Sequence, residues 1–250
     1  MTTDSPSQML VHLRDLKRQS ERRHMHLESS FLNEEELAEC RREFPESLYI
    51  RYDGGYEGAR KQKVIFPRDE EDDFSDIVCL EALTDQRFRE IGHRDILGAL
   101  MHLQIDRHSF GDFWIESDRI YLYTGSQMAR FLCDNLTRIS NLSVSFRQID
   151  EHPVQQFHTR QIEAVIASER ADAVVAGLAR VSRSEAKEMI RQGKVQFNHV
   201  TLEEPDKLCN NGTTVSIRGT GRFTYVGIRH KTRKDRVAAV FLQDIQGKER

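Results

Sequence analysis

The order in which strands and helices follow one another between Ile77 and Ile149 is the tightest constraint this sequence carries. Period-two runs mark strands over Ile77 to Ala82, Asp112 to Glu116, Arg119 to Tyr123 and Leu142 to Ile149. Helical spacing fills Asp95 to about Gln104 and Ser126 to Leu136, with Asp95 placed to cap the first of these. Ser117-Asp118 supplies the turn between the two middle strands. The order is therefore β-α-β-β-α-β, which closes into one sheet with both helices on the same face.

The fold class expected of the whole chain is α+β, in three small modules. An α/β amino-terminal domain covers 1–74, a ferredoxin-like or RRM-like βαββαβ domain covers 75–155, and a third domain covers 170–232. In the first module Leu10, Leu13 and Leu16 recur at helical spacing, and Phe31, Leu32 and Leu37 restart the pattern. Asn33 followed by three glutamates is N-cap chemistry with acids on the first turn, and Pro45 stops the second helix. Short strands follow at Leu48 to Tyr52 and Lys63 to Pro67. The Gly54-Gly55-Tyr56-Glu57-Gly58 loop between them lacks phosphate-loop spacing and reads as a tight turn, with Arg60, Lys61 and Lys63 available for RNA contact. The carboxylate run from Asp69 to Asp73 cannot converge on one ion, because its members are consecutive, and is expected to be a solvated loop at a domain boundary.

Composition narrows the function classes. The 250 residues are 38% hydrophobic and 31% charged, and no apolar run reaches the roughly 18 residues that a membrane span needs. The first residues lack a basic segment followed by an apolar one, so the expectation is a cytoplasmic protein with no membrane association. Cys40, Cys79, Cys133 and Cys209 lie far apart without a CxxC pair, which argues for buried free thiols over a zinc site or a disulfide framework. Charge is distributed unevenly. Residues 1–167 hold 21 basic and 30 acidic side chains, net -9, whereas 168–250 hold 16 and 10, net +6. A basic carboxy-terminal third on an acidic body points to a polyanion met by one module.

Several attractive motifs dissolve on inspection. His93-Arg94-Asp95 has no Asn five positions on and no Asp-Phe-Gly, so a helix cap is favoured over kinase-like chemistry. His24 and His26 lie two apart on an expected helix, cannot share a metal, and are expected at the surface. Phe113, Ile115, Tyr121 and Tyr123 could stack bases on the sheet, but the aromatic string of RNA-recognition domains is missing and core positions are favoured.

The basic third is more specific. A strand over Glu163 to Ser168 leads into a helix from Arg170 to Leu178, and Ser182-Arg183-Ser184-Glu185 is a capping box that opens a second helix ending at Gly193. In that helix Ala186, Met189 and Ile190 face inward, while Arg183, Lys187 and Arg191 recur every fourth residue on another face, with Lys194 and Arg180 able to extend the patch. Gly193-Lys194-Val195-Gln196-Phe197-Asn198 and short strands follow. This succession resembles the S4 RNA-binding domain of ribosomal protein S4, pseudouridine synthases and bacterial tyrosyl-tRNA synthetases, over roughly 170–227. The resemblance implies that Ser182, Arg183, Ser184, Lys187, Arg191, Lys194 and Asn198 contact RNA, and Arg180 is expected to join them by its position in the preceding turn. The sequence departs from the family at His199 and at Gly212-Thr213, where glycine and Gly-Asp are frequent; histidine tolerates a positive φ better than a β-branched residue.

Upstream of this module no pseudouridine-synthase aspartate setting, synthetase motif or methyltransferase glycine turn is found, so no catalytic residue, cofactor, metal or small-molecule substrate is expected. The layout of Gly54-Gly55-Tyr56, the Gly92 to Met101 segment with Ile105-Asp106-Arg107, and Arg218-Gly219-Thr220-Gly221-Arg222-Phe223 resembles the bacterial YlmH family. That resemblance implies a non-catalytic RNA-binding protein whose partners are rRNA, tRNA and the large ribosomal subunit carrying peptidyl-tRNA, in ribosome-associated quality control. Two alternatives stay open: an RNA-modifying or RNA-processing enzyme with a middle-domain site at His93, Arg94 and Asp95, and a cell-division factor working through protein contacts.

Overall fold

The structure, a computed structural model, describes residues 6–84, 91–156, 158–231 and 236–245. The chain divides into two compact units, 1–155 and 156–250.

The first unit opens with α1 (Pro6–Arg23), β1 (Leu27–Glu28), α2 (Glu34–Glu43), β2 (Arg51–Asp53) and β3 (Lys63–Phe66), the strands pairing antiparallel in the order β1-β3-β2. Helix α2 starts where local chemistry dictates. Asn33 Oδ1 accepts from the N–H of Glu35 at 2.9 Å and of Glu36 at 3.1 Å, and Glu36 accepts from the Asn33 N–H at 2.7 Å. Leu13, Leu37, Cys40, Phe44, Val64 and Phe66 bury together beneath the two helices.

The elements β4 (Ile77–Leu83), α3 (His93–His102), β5 (Phe110–Glu116), β6 (Arg119–Gly125), α4 (Ser126–Asn135), β7 (Arg138–Ile139), β8 (Leu142–Ser143) and β9 (Phe146–Ile149) follow. The sheet order β5-β6-β4-β9, all antiparallel, is the ferredoxin-like arrangement that the element order implied. Both helices lie on one face, where Leu80, Ile96, Leu100, Ile120, Leu122 and Leu132 are fully buried. The cap of α3 differs in detail from expectation. Gly92 is the N-cap, and Asp95, three residues on, accepts from the Gly92 N–H at 2.9 Å.

The second face of this sheet is covered as well. Phe31, Tyr56 and Ala59 from the amino-terminal elements bury against Cys79, Trp114 and Tyr123. Two glycines permit this approach: a Cβ at Gly55 (φ +91°) would lie 2.4 Å from the Tyr123 ring, and one at Gly111 would lie 2.8 Å from Phe31. The boundary expected near residue 74 thus falls inside one shared core. The acidic run there is only partly solvated, because Asp72 accepts from the Arg68 N–H at 2.8 Å and meets His26 Nδ1 at 2.9 Å. His26 lies beyond the end of α1, part-buried between Asp72 and Glu28, so it is not the surface residue expected.

The second unit contains β10 (His158–Ile166), α5 (Ala171–Ala179), α6 (Arg183–Arg191), β11 (Val195–Phe197), β12 (Val200–Thr201), β13 (Thr214–Ile217), β14 (Gly221–Lys231) and β15 (Val237–Ile245). Its sheet runs β10-β15-β14-β13-β11-β12. Strands β10 and β15 pair along their whole length, from His158 with Ile245 to Ile166 with Val237, so the sheet reaches beyond the 170–232 span read from the sequence at both ends. Val174, Val175, Ala186 and Ile190 of the two helices pack on Val195, Val215, Tyr225 and Phe241. Cys40, Cys79 and Cys209 are buried and Cys133 half-buried, all as free thiols. Among the described residues no helix is long and apolar enough to cross a membrane.

Candidate nucleic-acid interface

The capping box expected at Ser182 forms. Ser182 Oγ accepts from the Glu185 N–H at 3.2 Å, and Glu185 accepts from the Ser182 N–H at 2.8 Å. Arg180 adopts φ 56° and ψ 44° as the C-cap of α5, which turns the chain so that α6 packs back on α5. At the other end of α6, Gly193 takes φ +64°. Both helix ends are thus set by residues adjacent in sequence.

The cations of α6 are organised by a residue outside that helix. Asp172, on the first turn of α5, has a side chain with 0% exposure. Its carboxylate accepts from Arg183 Nη2 at 2.8 and 2.7 Å, lies 3.5 Å from Arg170 Nε, and lies 3.7 Å from Lys187 Nζ. Burial pushes the Asp172 carboxyl up, but the hydrogen bonds from Arg183 and Arg170 outweigh it and hold the group below its ordinary value. It is therefore an anion at neutral pH, one negative charge beneath three positive ones. The cations remain accessible, with the side chains of Arg183 and Lys187 48% and 43% exposed. Arg191 is more open still, its only ion pair among the described residues a 3.9 Å approach to Glu188. Arg180, Ser184 and Lys194 are exposed. The arrangement is a cationic ridge whose root is fixed and whose outer edge faces solvent, which suits phosphate contact.

Two of the sequence-derived residues carry structural duties. Ser182 is committed as the cap acceptor just described. Asn198 Oδ1 accepts from the Thr214 N–H at 2.9 Å, and the Asn198 N–H donates to the Thr214 carbonyl at 2.8 Å, clipping the β11–β12 turn to β13. Asn198 (φ 49°) and His199 (φ 66°) make that turn with two positive φ values, so histidine does occupy the left-handed position where glycine is common. Sequence reasoning missed Arg170 and Asp172. The available signal was an acid in an otherwise small, apolar helix, preceded by arginine.

A groove of about 580 Å³ continues from the ridge past Gly193 and Lys194 to Arg218 and Arg222. Arg218 sits beside Lys194 because its N–H donates to the Lys194 carbonyl at 2.9 Å.

The first unit offers less at the positions the sequence suggested. Lys61 Nζ donates to the Arg107 carbonyl at 2.5 Å and to that of Phe110, and burial pulls its pKa down to about 8. Lys63 is buried between Glu28, at 2.9 Å, and Asp76. Lys63 is buried and the half-buried Lys61 has its ammonium committed to two backbone carbonyls, so the RNA contact considered for them is not available. Asp112 accepts from the Tyr56 hydroxyl at 2.7 Å and from the Arg60 and Lys61 N–H groups at 2.6 and 3.2 Å, and burial raises its pKa. His93, Arg94 and Asp95 do not converge: His93 stacks on Phe113 with ring centroids 4.2 Å apart, Asp95 caps α3, and Arg94 points to solvent. Phe113 and Tyr123 are buried, and Ile115 and Tyr121 half-buried.

Comparison with known proteins identifies the family. The model of the putative RNA-binding domain in YlmH matches residues 69–153, which defines the class of the middle module. The chain is 31% identical over 200 residues, 77% of each chain, to ribosome-associated protein quality control protein P2 of Bacillus subtilis. It belongs to the YlmH family. Among solved structures it is similar to the cell division protein ylmH from Streptococcus pneumoniae, with a TM-score of 0.45 and 18% identity over 60% of this chain and 93% of that one.

Proposed function

We propose that this protein is a non-catalytic, cytoplasmic RNA-binding factor that uses residues 170–232 as an S4 domain to hold structured rRNA or tRNA on the large ribosomal subunit carrying peptidyl-tRNA, in ribosome-associated quality control. The observation that carries the reading is the ridge of Arg170, Arg183 and Lys187 rooted on the buried Asp172, in the most basic part of the chain. Three cations fixed over one anion keep a net positive charge, and their geometry is set before the ligand arrives. Arg191 and Lys194 lengthen the ridge, and the helix N-terminus at Arg183 and Ser184 adds backbone donors. Contacts of this kind read the shape of a folded backbone and bring affinity through counterion release. The kinship with a ribosome-associated quality control protein supports the choice of ribosomal RNA and of that process.

The test is sedimentation of tagged protein with bacterial ribosomes through sucrose at low and high salt. The wild type is expected to travel with the large subunit at low salt and to stay at the top at high salt, with Arg183→Ala/Lys187→Ala released at lower salt. Equal sedimentation of that variant, or wild-type protein that never leaves the top, would overturn the assignment.

A further inference from the structure

We infer that a polar groove of the first unit, walled by α3 on one side and by the α4–β7 segment on the other, is a second binding site for the phosphate backbone of RNA. The inference rests on the reading of the protein as RNA-binding and supplies the surface by which the middle module takes part. The open sheet face by which RNA-recognition folds stack bases is not available here. Phe31, Tyr56 and Ala59 cover Trp114 and Tyr123, and Glu81, buried on β4, takes up Arg119 and Arg147.

The groove encloses about 600 Å³ and is lined by Arg94, Gly98, His102, Asn135, Arg138 and Ser140, among others. Arg94, Gly98 and His102 stand at i, i+4 and i+8 along α3, a row about 12 Å long, enough for more than one phosphate. Gly98 lies in the middle of the row with nothing within 4 Å of where a Cβ would be, so a ligand can approach the helix backbone. Opposite, Ile139 is fully buried, which turns its neighbour Arg138 outward, and the Val144 N–H bonds the Thr137 carbonyl at 2.9 Å to hold the β7–β8 hairpin in place.

The clustering of cations is what favours the groove. The stretch 75–155 has eight basic and twelve acidic side chains. Within it Arg119 and Arg147 are spent on Glu81. Among the described residues of the stretch, the side chains of Arg94, Arg107, Arg130 and Arg138 have no hydrogen-bond or ion-pair partner, and two of these four, Arg94 and Arg138, line this one groove together with His102. Asp95 is the groove's carboxylate, and it is held by the Gly92 N–H at 2.9 Å. Two guanidiniums without a partner among the described residues, lining one cleft with hydroxyl and amide groups on an otherwise acidic body, match a phosphodiester. Every lining residue lies within 69–153, the span matched by the model of a putative RNA-binding domain.

The experiment titrates full-length protein against purified bacterial 23S rRNA over a range of salt, comparing wild type, Arg94→Ala/Arg138→Ala, Arg94→Lys/Arg138→Lys and Arg183→Ala/Lys187→Ala. Both arginines are exposed and without a partner among the described residues, so the melting temperature should be unchanged. The alanine pair is expected to bind roughly tenfold more weakly, with a log–log salt slope shallower by about 1.5, and the lysine pair to recover most of both. Alanine-pair binding identical to wild type, while Arg183→Ala/Lys187→Ala binds weakly, would sink this inference and leave the carboxy-terminal ridge standing. The reverse pattern would sink the ridge and support the groove. A polyglutamate peptide that binds wild type but not the alanine pair, with RNA affinity unmoved, would assign the groove to an acidic protein and overturn the proposal.

Discussion

Replacing Asp172 with Asn separates two roles that a buried counter-ion can have. The substitution keeps the shape and one acceptor oxygen while removing the charge that accepts both Arg183 hydrogen bonds, at 2.8 and 2.7 Å. A charge-assisted bond contributes about 1.5–3 kcal/mol, and the half-exposure of Arg183 discounts that, so the expected loss of stability is about 1–2 kcal/mol. For a unit of this size that lowers the melting temperature by roughly 4–12 °C. Its folded pKa lies below the unfolded one, so this contribution is complete above the unfolded value and disappears only as pH falls through the folded one. The effect on RNA has a sign that decides the matter. If Asp172 merely neutralises its neighbours, deleting the anion adds a positive charge and binding tightens; at about 8 Å in a watery dielectric that gain is about 0.5 kcal/mol. If Asp172 fixes the ridge, Arg170, Arg183 and Lys187 must be ordered during binding at about 0.5–1.5 kcal/mol each. The second effect is larger by about 1–4 kcal/mol, so affinity should fall at least about fivefold despite the added charge. The assay is a salt-resolved RNA titration alongside thermal melting. Equal or tighter binding by Asp172→Asn, with an unchanged melting temperature, would refute the positioning argument.

Two further outcomes test the first unit. Gly55→Ala places a Cβ 2.4 Å from the Tyr123 ring at φ +91°, and should cost about 2–4 kcal/mol in chemical denaturation while a Gly58→Ala control, with nothing within 4 Å, costs less. Lys61, at about 8 when folded against 10.5 ordinarily, binds fewer protons in the folded than in the unfolded state between those values. Stability should therefore gain on the order of 1–3 kcal/mol from Lys61 as pH rises from about 8 to 10.5; Lys61→Met should flatten that gain in pH-resolved denaturation curves, and an unaltered curve would contradict it.

The sequence by itself determined whatever is settled within a turn or two of chain. The Asn33–Glu36 and Ser182–Glu185 caps, the stop at Gly193, and the βαββαβ order are written in residues close enough to bond or alternate locally, and each is found where its spacing put it. The row of Arg183, Lys187 and Arg191 was legible for the same reason. Only the tertiary structure decided what those side chains meet. Asp172 reaches Arg183 because α5 and α6 fold back on one another, and nothing in the spacing of eleven residues says that the carboxylate will be buried beneath the guanidinium. His26 finds Asp72, Lys61 turns inward, and Tyr56 covers the sheet at Trp114, because the Gly54–Arg60 loop and the amino-terminal strands dock on the second sheet face. Strand β10 closes on β15 across nearly the whole second unit. Such contacts join residues dozens of positions apart, where hydrophobic period and charge are the same for many pairings and only packing selects one.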